Sequence, residues 1–265
     1  MSGPVEYKPA QPAEPSTIPW VLLRGLAREQ RHWGSFPQRL AEQLNTRVIC
    51  PDTPGNGYRY RDTSPQDIHG TLESVRSELN ETGPFNLLGL SMGGMIATEW
   101  ASCYPQEVGV LVLINSSFAN FSLPWQRLRP PALCKVLASL AMPTVKREGV
   151  IFDLICQRSG DRRETLAAWA GFAHECPLRR SNFGRQLYSA ARYRAPSAAP
   201  LPNALILCGR GDRLVNPACS AAIARRWGIT LDAHPWAGHD LTHDDPDWVL
   251  KRIACLQERA GITHS

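Results

Sequence analysis

The feature that most narrows the possible folds is a set of short runs without a polar side chain. Trp20-Val21-Leu22-Leu23 and Gly109-Val110-Leu111-Val112-Leu113-Ile114 are apolar or glycine at every position. A strand with one wet face alternates apolar and polar residues, so an unbroken run belongs to a strand covered on both faces. Arg47-Val48-Ile49-Cys50, Phe85-Asn86-Leu87-Leu88, Ala204 to Cys208 and Ile229 to Asp232 read as further strands. Helical patterns separate them: Phe36 to Leu44, Pro65 to Leu79, Met92 to Tyr104, residues 217–227, and Pro246 to Arg259. Ser64-Pro65 supplies a capping hydroxyl followed by proline at the first helical position. The expected class is α/β, a mostly parallel sheet of about six strands with helices on both faces.

Residues 119–200 interrupt this rhythm, with helical patterns and no convincing strand. They read as a helical insertion, dividing the chain into an extended N-terminal arm (1–18), a core (19–118 and 201–265) and the insertion (119–200). The insertion also concentrates charge. The whole chain is +5 from 29 Lys and Arg against 24 Asp and Glu, whereas 119–200 holds thirteen basic and five acidic residues, +8, leaving −3 elsewhere. Nucleic-acid binding has only this charge in its favour, with no recognisable motif. No run approaches the roughly 20 apolar residues of a bilayer span, and the N-terminus lacks a basic start and apolar core of a secretory signal. A soluble, cytoplasmic protein is expected. The eight cysteines are scattered without a CxxC pair, which favours reduced thiols over a metal centre.

Gly89-Leu90-Ser91-Met92-Gly93 follows one apolar strand and opens a helix. This is the G-x-S-x-G nucleophile elbow in the context it requires, a sharp strand-to-helix turn that presents the hydroxyl. Serine is a poor nucleophile at neutral pH and needs a base. His239, in Trp236-Ala237-Gly238-His239 after the last strand, is the expected base, ahead of His234 near the strand end and His243, which reads as a solvated loop residue. Asp212, in Gly209-Arg210-Gly211-Asp212 at the end of another strand, is the expected orienting acid. As a plain turn residue or helix cap it would also fit. Asn115-Ser116-Ser117 offers no carboxylate after Ile114, and Asp240 and Asp244 lie too close to His239 in sequence.

From about residue 19 onward the chain resembles the α/β-hydrolase superfamily. Leu23-Arg24-Gly25-Leu26 with Trp33 downstream resembles its His-Gly loop, and Pro51-Asp52-Thr53-Pro54-Gly55-Asn56-Gly57 resembles its D-x-P-G-x-G turn. The resemblance implies an oxyanion hole from the backbone N–H groups of Leu26 and Met92. It also implies that the insertion is a lid following the strand that ends near Ile114. Arg24 replaces the usual histidine; turned inward it needs a carboxylate or a substrate anion, and otherwise it snorkels to solvent. Too little chain precedes Val21 for the two usual leading strands, hence a shortened sheet. Trp33, Trp125, Trp169, Phe172 and Tyr188 are candidates for the substrate walls, or else pack the insertion on the core. There is also similarity to the methyl ester esterases of biotin synthesis. It implies docking of an acidic acyl carrier protein on basic insertion residues such as Arg127, Arg129, Arg158, Arg162 and Arg163, or attraction of coenzyme A thioesters.

The expected activity is hydrolysis of an ester or thioester without cofactor or metal. Lyases and cofactor-free haloperoxidases carry a similar triad, and a non-catalytic ligand-binding relative would keep the fold. These remain open from the sequence.

Overall fold

All four side chains of Trp20–Leu23 are buried, as the unbroken apolar run requires. The computed structural model describes residues 3–10, 18–158 and 160–259. Strands β1 (Val5–Tyr7), β2 (Trp20–Leu23), β3 (Val48–Cys50), β4 (Phe85–Leu90), β5 (Val108–Ile114), β6 (Ala204–Gly209) and β7 (Leu231–His234) form one sheet. Their order is β1-β3-β2-β4-β5-β6-β7. From β2 to β7 every pairing is parallel.

The sheet therefore has seven strands, not six. The additional strand comes from the arm: β1 lies antiparallel on β3, with Val5 opposite Cys50 and Tyr7 opposite Val48. It covers the open hydrogen-bonding edge of β3, and the Val5 amide is accepted by Gln30 Oε1 at 3.1 Å. Three residues, Val-Glu-Tyr, are too few for a period to show in the sequence. Residues 1, 2 and 11–17 of the arm fall outside the described residues.

Helices α1 (Phe36–Gln43), α2 (Ile68–Arg76) and α3 (Met92–Cys103) precede β5, and α9 (Ala218–Trp227), α10 (Leu241–Asp244) and α11 (Pro246–Arg259) follow β6. Alternate strand residues point to opposite layers. Val21, Leu23, Leu87, Leu111 and Leu113 pack with Leu72, Trp100 and Ile223 of α2, α3 and α9. Trp20, Leu22, Leu88, Val110 and Val112 pack with Phe36, Leu40, Val249 and Ile253 of α1 and α11. The start of α2 lies three residues beyond Pro65. The Ser64 hydroxyl donates to Pro54 O and accepts from Gln186, so it joins the loop to the insertion instead of capping. Asp67 caps, accepting the Gly70 amide at 2.6 Å.

Between β5 and β6 lie α4 (Pro124–Arg127), α5 (Pro130–Ser139), α6 (Thr144–Ile155), α7 (Arg162–Glu175) and α8 (Arg180–Arg192). No strand occurs there among the described residues. This helical segment has a small core of its own, built on Phe152, Leu154, Ile155 and Trp169.

Trp100 ties α3 to the sheet. It is 1% exposed, meets Phe85 edge-on at 5.5 Å and donates from Nε1 to Glu107 at 2.8 Å. Trp100→Ala is expected to cost about 3–5 kcal/mol in denaturant unfolding. A loss below about 1 kcal/mol would show that this contact does not hold the layer.

Candidate active site

Ser91 occupies the single residue between β4 and α3, at φ 59° and ψ −118°. That left-handed conformation costs of order 1–3 kcal/mol for a non-glycine residue and persists only where its surroundings hold it. They do so here. The Ser91 amide donates to Ile114 O at 2.9 Å, and its carbonyl accepts from Gly94 N at 3.0 Å and Ser116 Oγ at 2.8 Å. The flanking glycines are steric requirements. A Cβ on Gly93 would lie 1.9 Å from the Leu23 carbonyl oxygen, and one on Gly89 would lie 2.4 Å from that of Gly93.

His239 sits on the loop after β7, and its Nδ1 is 2.7 Å from Asp212 Oδ2. Both residues are buried. The other carboxylate oxygen of Asp212 accepts the amides of Leu214 and Val215 at 2.8 and 2.9 Å. Asp212 is thereby fixed in place, with one oxygen on the backbone and one on the imidazole. Ser91, His239, Leu26 and Met92 all line one cavity of about 620 Å³. Its remaining wall is mostly apolar and comes largely from the helical segment, including Leu133, Ile151, Phe172 and Phe183.

The sequence passed over three residues that hold this loop. Asn115, itself at φ 48°, donates to the carbonyls of Gly238 and His239 and accepts the Gly209 amide. It joins the ends of β5 and β6 to the histidine loop. Asp244 accepts the amides of Gly238, Gln157 and Arg158, binding the loop to the helical segment. Asp240, set aside as an orienter, pairs with Arg24 at 2.7 Å. Arg24 thus turns inward, 3% exposed, with its guanidinium 4.5 Å from the Trp33 ring. It does not snorkel. Burial would push the Asp240 carboxyl up, but the Arg24 charge and hydrogen bond outweigh it and hold it at about 2.

A second buried polar group, with no signal in the sequence, lines the cavity. Arg28 donates to Glu148 and meets His32 Nε2, each at 2.8 Å, and all three line the cavity. Burial, followed by the charges of Arg28 and Arg24, holds His32 well below its ordinary pKa. Asp52 of the proline-glycine turn accepts amides from Gln30 and Tyr58, yet burial raises its carboxyl to about 6.

Of the proposed wall residues, only Phe172 lines the cavity. Trp33 is committed to Arg24 and Phe36 beneath it, and Trp169 to Phe152 and Arg28. Trp125 and Tyr188 are 58% and 50% exposed and are not part of its lining. Among the docking candidates, Arg127 turns to the cavity and donates to the carbonyls of Ala190 and Ala191. Arg162 is paired with Asp153, and Arg129 is half-buried, leaving Arg158 and Arg163 exposed. His243 is no solvated loop residue: it lies on α10 against Phe152. His234 ends β7 and bonds Asp245. The eight cysteines are free. Among the described residues two groups of donor side chains approach metal-ligand spacing, His69–Glu99–Cys103, largely exposed, and Cys156–His243–Asp244, largely buried. The Asp244 oxygens in the second are already taken by amides.

The family model for the alpha/beta hydrolase family matches residues 20–252. The chain belongs to that family. It is 34% identical over 113 residues to the biotin biosynthesis bifunctional protein BioHC of Teredinibacter turnerae, covering 42% of this chain and 19% of that one. It is 29% identical over 114 residues to a pimeloyl-[acyl-carrier protein] methyl ester esterase of Edwardsiella ictaluri, covering 43% and 42%. The matches thus span less than half of either relative. The meta-cleavage product hydrolase of Pseudomonas fluorescens shares the fold at TM-score 0.75 and 16% identity, over 97% of this chain and 94% of that one.

Because the folded Asp240 carboxyl lies below its ordinary value, the pair's stabilisation is full above about pH 4 and is lost as pH falls through about 2. Asp240→Asn leaves Arg24 buried without a counter-charge, a loss of about 3–5 kcal/mol at pH 7. Urea unfolding from pH 7 to 2 checks this: the gap between variant and parent should close toward pH 2. A pH-independent gap would contradict the ion-pair assignment.

Proposed function

We propose that this chain is a serine hydrolase that cleaves a carboxylic ester or thioester through an acyl-enzyme on Ser91. One observation carries the reading. A strained serine and a histidine whose Nδ1 is held by a buried aspartate line the same largely apolar cavity.

With Nδ1 occupied, His239 presents Nε2 to take the Ser91 proton as the hydroxyl attacks the carbonyl. Asp212 stabilises the imidazolium that forms. The Leu26 and Met92 amides receive the oxyanion, each donor being worth about 3–4 kcal/mol of barrier. His239 then protonates the leaving group, and water repeats the cycle on the acyl-enzyme. Helices α4–α8 act as the lid, and their apolar residues, with Phe172, receive the acyl chain. The two relatives connected by name with esters and biotin synthesis support an ester substrate. Carrier-bound and coenzyme A thioesters fall within the same chemistry, because either yields the same acyl-enzyme. Their recognition through the docking arginines has less support, since Arg127 is turned inward and Arg162 is paired.

Purified protein is expected to hydrolyse p-nitrophenyl esters between acetyl and decanoyl. Ser91→Ala should reduce turnover to background without altering the fold, and Asp212→Asn should lower kcat by about 10⁴-fold. Steady-state rates alongside circular dichroism check both. Undiminished hydrolysis by folded Ser91→Ala would overturn the assignment. An inert parent that fluorophosphonate fails to label would favour a non-catalytic binding protein.

A further inference from the structure

Of the eight large apolar side chains that are exposed among the described residues, six belong to the helical segment: Leu123, Trp125, Leu137, Met142, Val145 and Tyr188. Each is within four residues in sequence of one that lines the cavity. Leu123 and Trp125 flank Pro124, Met142 follows Leu140 by two, Val145 precedes Arg147 by two, and Tyr188 follows Leu187. Leu137 is four residues from Leu133 and three from Leu140, on the neighbouring helical ridge. The helices that carry them are tied together. Arg180 at the start of α8 donates to Leu140 O, and Arg127 of α4 donates to the carbonyls near the end of α8. The six side chains therefore form an exposed apolar rim on the outside of the helical segment.

The stretches of sequence that carry them bear charge of one sign. Residues 119–147 and 176–200 contain ten Lys or Arg and no Asp or Glu, because all five acidic residues of the segment fall between Glu148 and Glu175. Lys135, Lys146, Arg180 and Arg192 stand exposed among the rim residues. Protruding aromatic and aliphatic side chains within a basic field match the surface of a bilayer containing anionic lipid, where the former enter the acyl boundary and the latter meet headgroups.

We propose that the rim formed by α4, α5, the α5–α6 turn, the first turn of α6 and α8 docks reversibly on anionic phospholipid membranes. The hydrolase reading then acquires a substrate class, acyl esters drawn from that surface. Docking itself needs no catalysis, so Ser91→Ala must bind vesicles as the parent does, and the two readings can fail separately.

The test is co-sedimentation of the full chain with vesicles of phosphatidylcholine alone and of phosphatidylcholine with phosphatidylglycerol. Binding is expected only to the anionic vesicles and should weaken with added salt. Trp125→Ser combined with Val145→Ser should lower binding at least tenfold, while the fold and the hydrolysis of p-nitrophenyl butyrate are retained. Lys135→Glu with Lys146→Glu should do the same through charge. Failure of the folded parent to bind anionic vesicles would overturn the proposal, as would binding that these variants leave intact. Saturable binding of an acyl carrier protein without vesicle association would assign the rim to a protein partner. Self-association abolished by the same variants, again without vesicle binding, would assign it to a second copy.

Discussion

Helix α3 reaches the sheet more closely than any side chain on its first turn would permit. The Leu23 carbonyl of β2 occupies the space that a Cβ on Gly93 would need, and Gly89 meets the backbone of the same turn. This contact has consequences in both directions. It allows the chain to reverse from β4 into α3 across one residue, which forces Ser91 to a positive φ. It also brings the backbone of the loop after β2 beside the helix start, so that Leu26 and Met92 line the cavity with Ser91. The strain at Ser91 is held by hydrogen bonds to Ile114, Gly94 and Ser116, the first of which draws on the neighbouring strand β5.

The second requirement is a histidine loop that keeps its place without regular structure. Four buried polar contacts achieve it: Asp212 on the ring, Asn115 and Asp244 on the backbone, and Arg24 on Asp240. Each satisfies groups that would be costly to bury unpaired. Arg24 has a distinctive part, since it comes from the loop after β2 and clamps the residue following His239. The loop that carries Leu26 and the loop that carries His239 are thereby held to each other by one ion pair over the Trp33 ring.

Much of this was legible in the sequence for identifiable reasons. Strands β2 and β5 announced themselves through unbroken apolar runs, and the elbow through glycines on either side of a serine between strand and helix; β7 lies at Leu231–His234, two residues beyond the expected Ile229 to Asp232, because Asp232 and His234 interrupt its apolar run. Asp212 and His239 followed from their positions after β6 and β7. Strand β1 was not legible because three residues carry no period and its partner is distant in sequence. The partner of Arg24 is not legible because it lies 216 residues away, and the part of Asn115 is not legible because an amide, not a carboxylate, does the joining at the end of β5. The substrate walls were the least legible. Aromatic residues such as Trp33 and Trp169 face inward yet are occupied by cation–π and ring contacts, while aliphatic residues form most of the cavity wall. Only packing distinguishes those roles.

The central claim is that Ser91 carries a covalent acyl group during turnover. It is tested most directly by mixing the protein with p-nitrophenyl octanoate, quenching in acid within the first turnovers, and locating added mass by peptide mass spectrometry. The account predicts an octanoyl group on the peptide containing Ser91, absent from Ser91→Ala. Turnover with no adduct on that peptide, or with the acyl group on another residue, would contradict it.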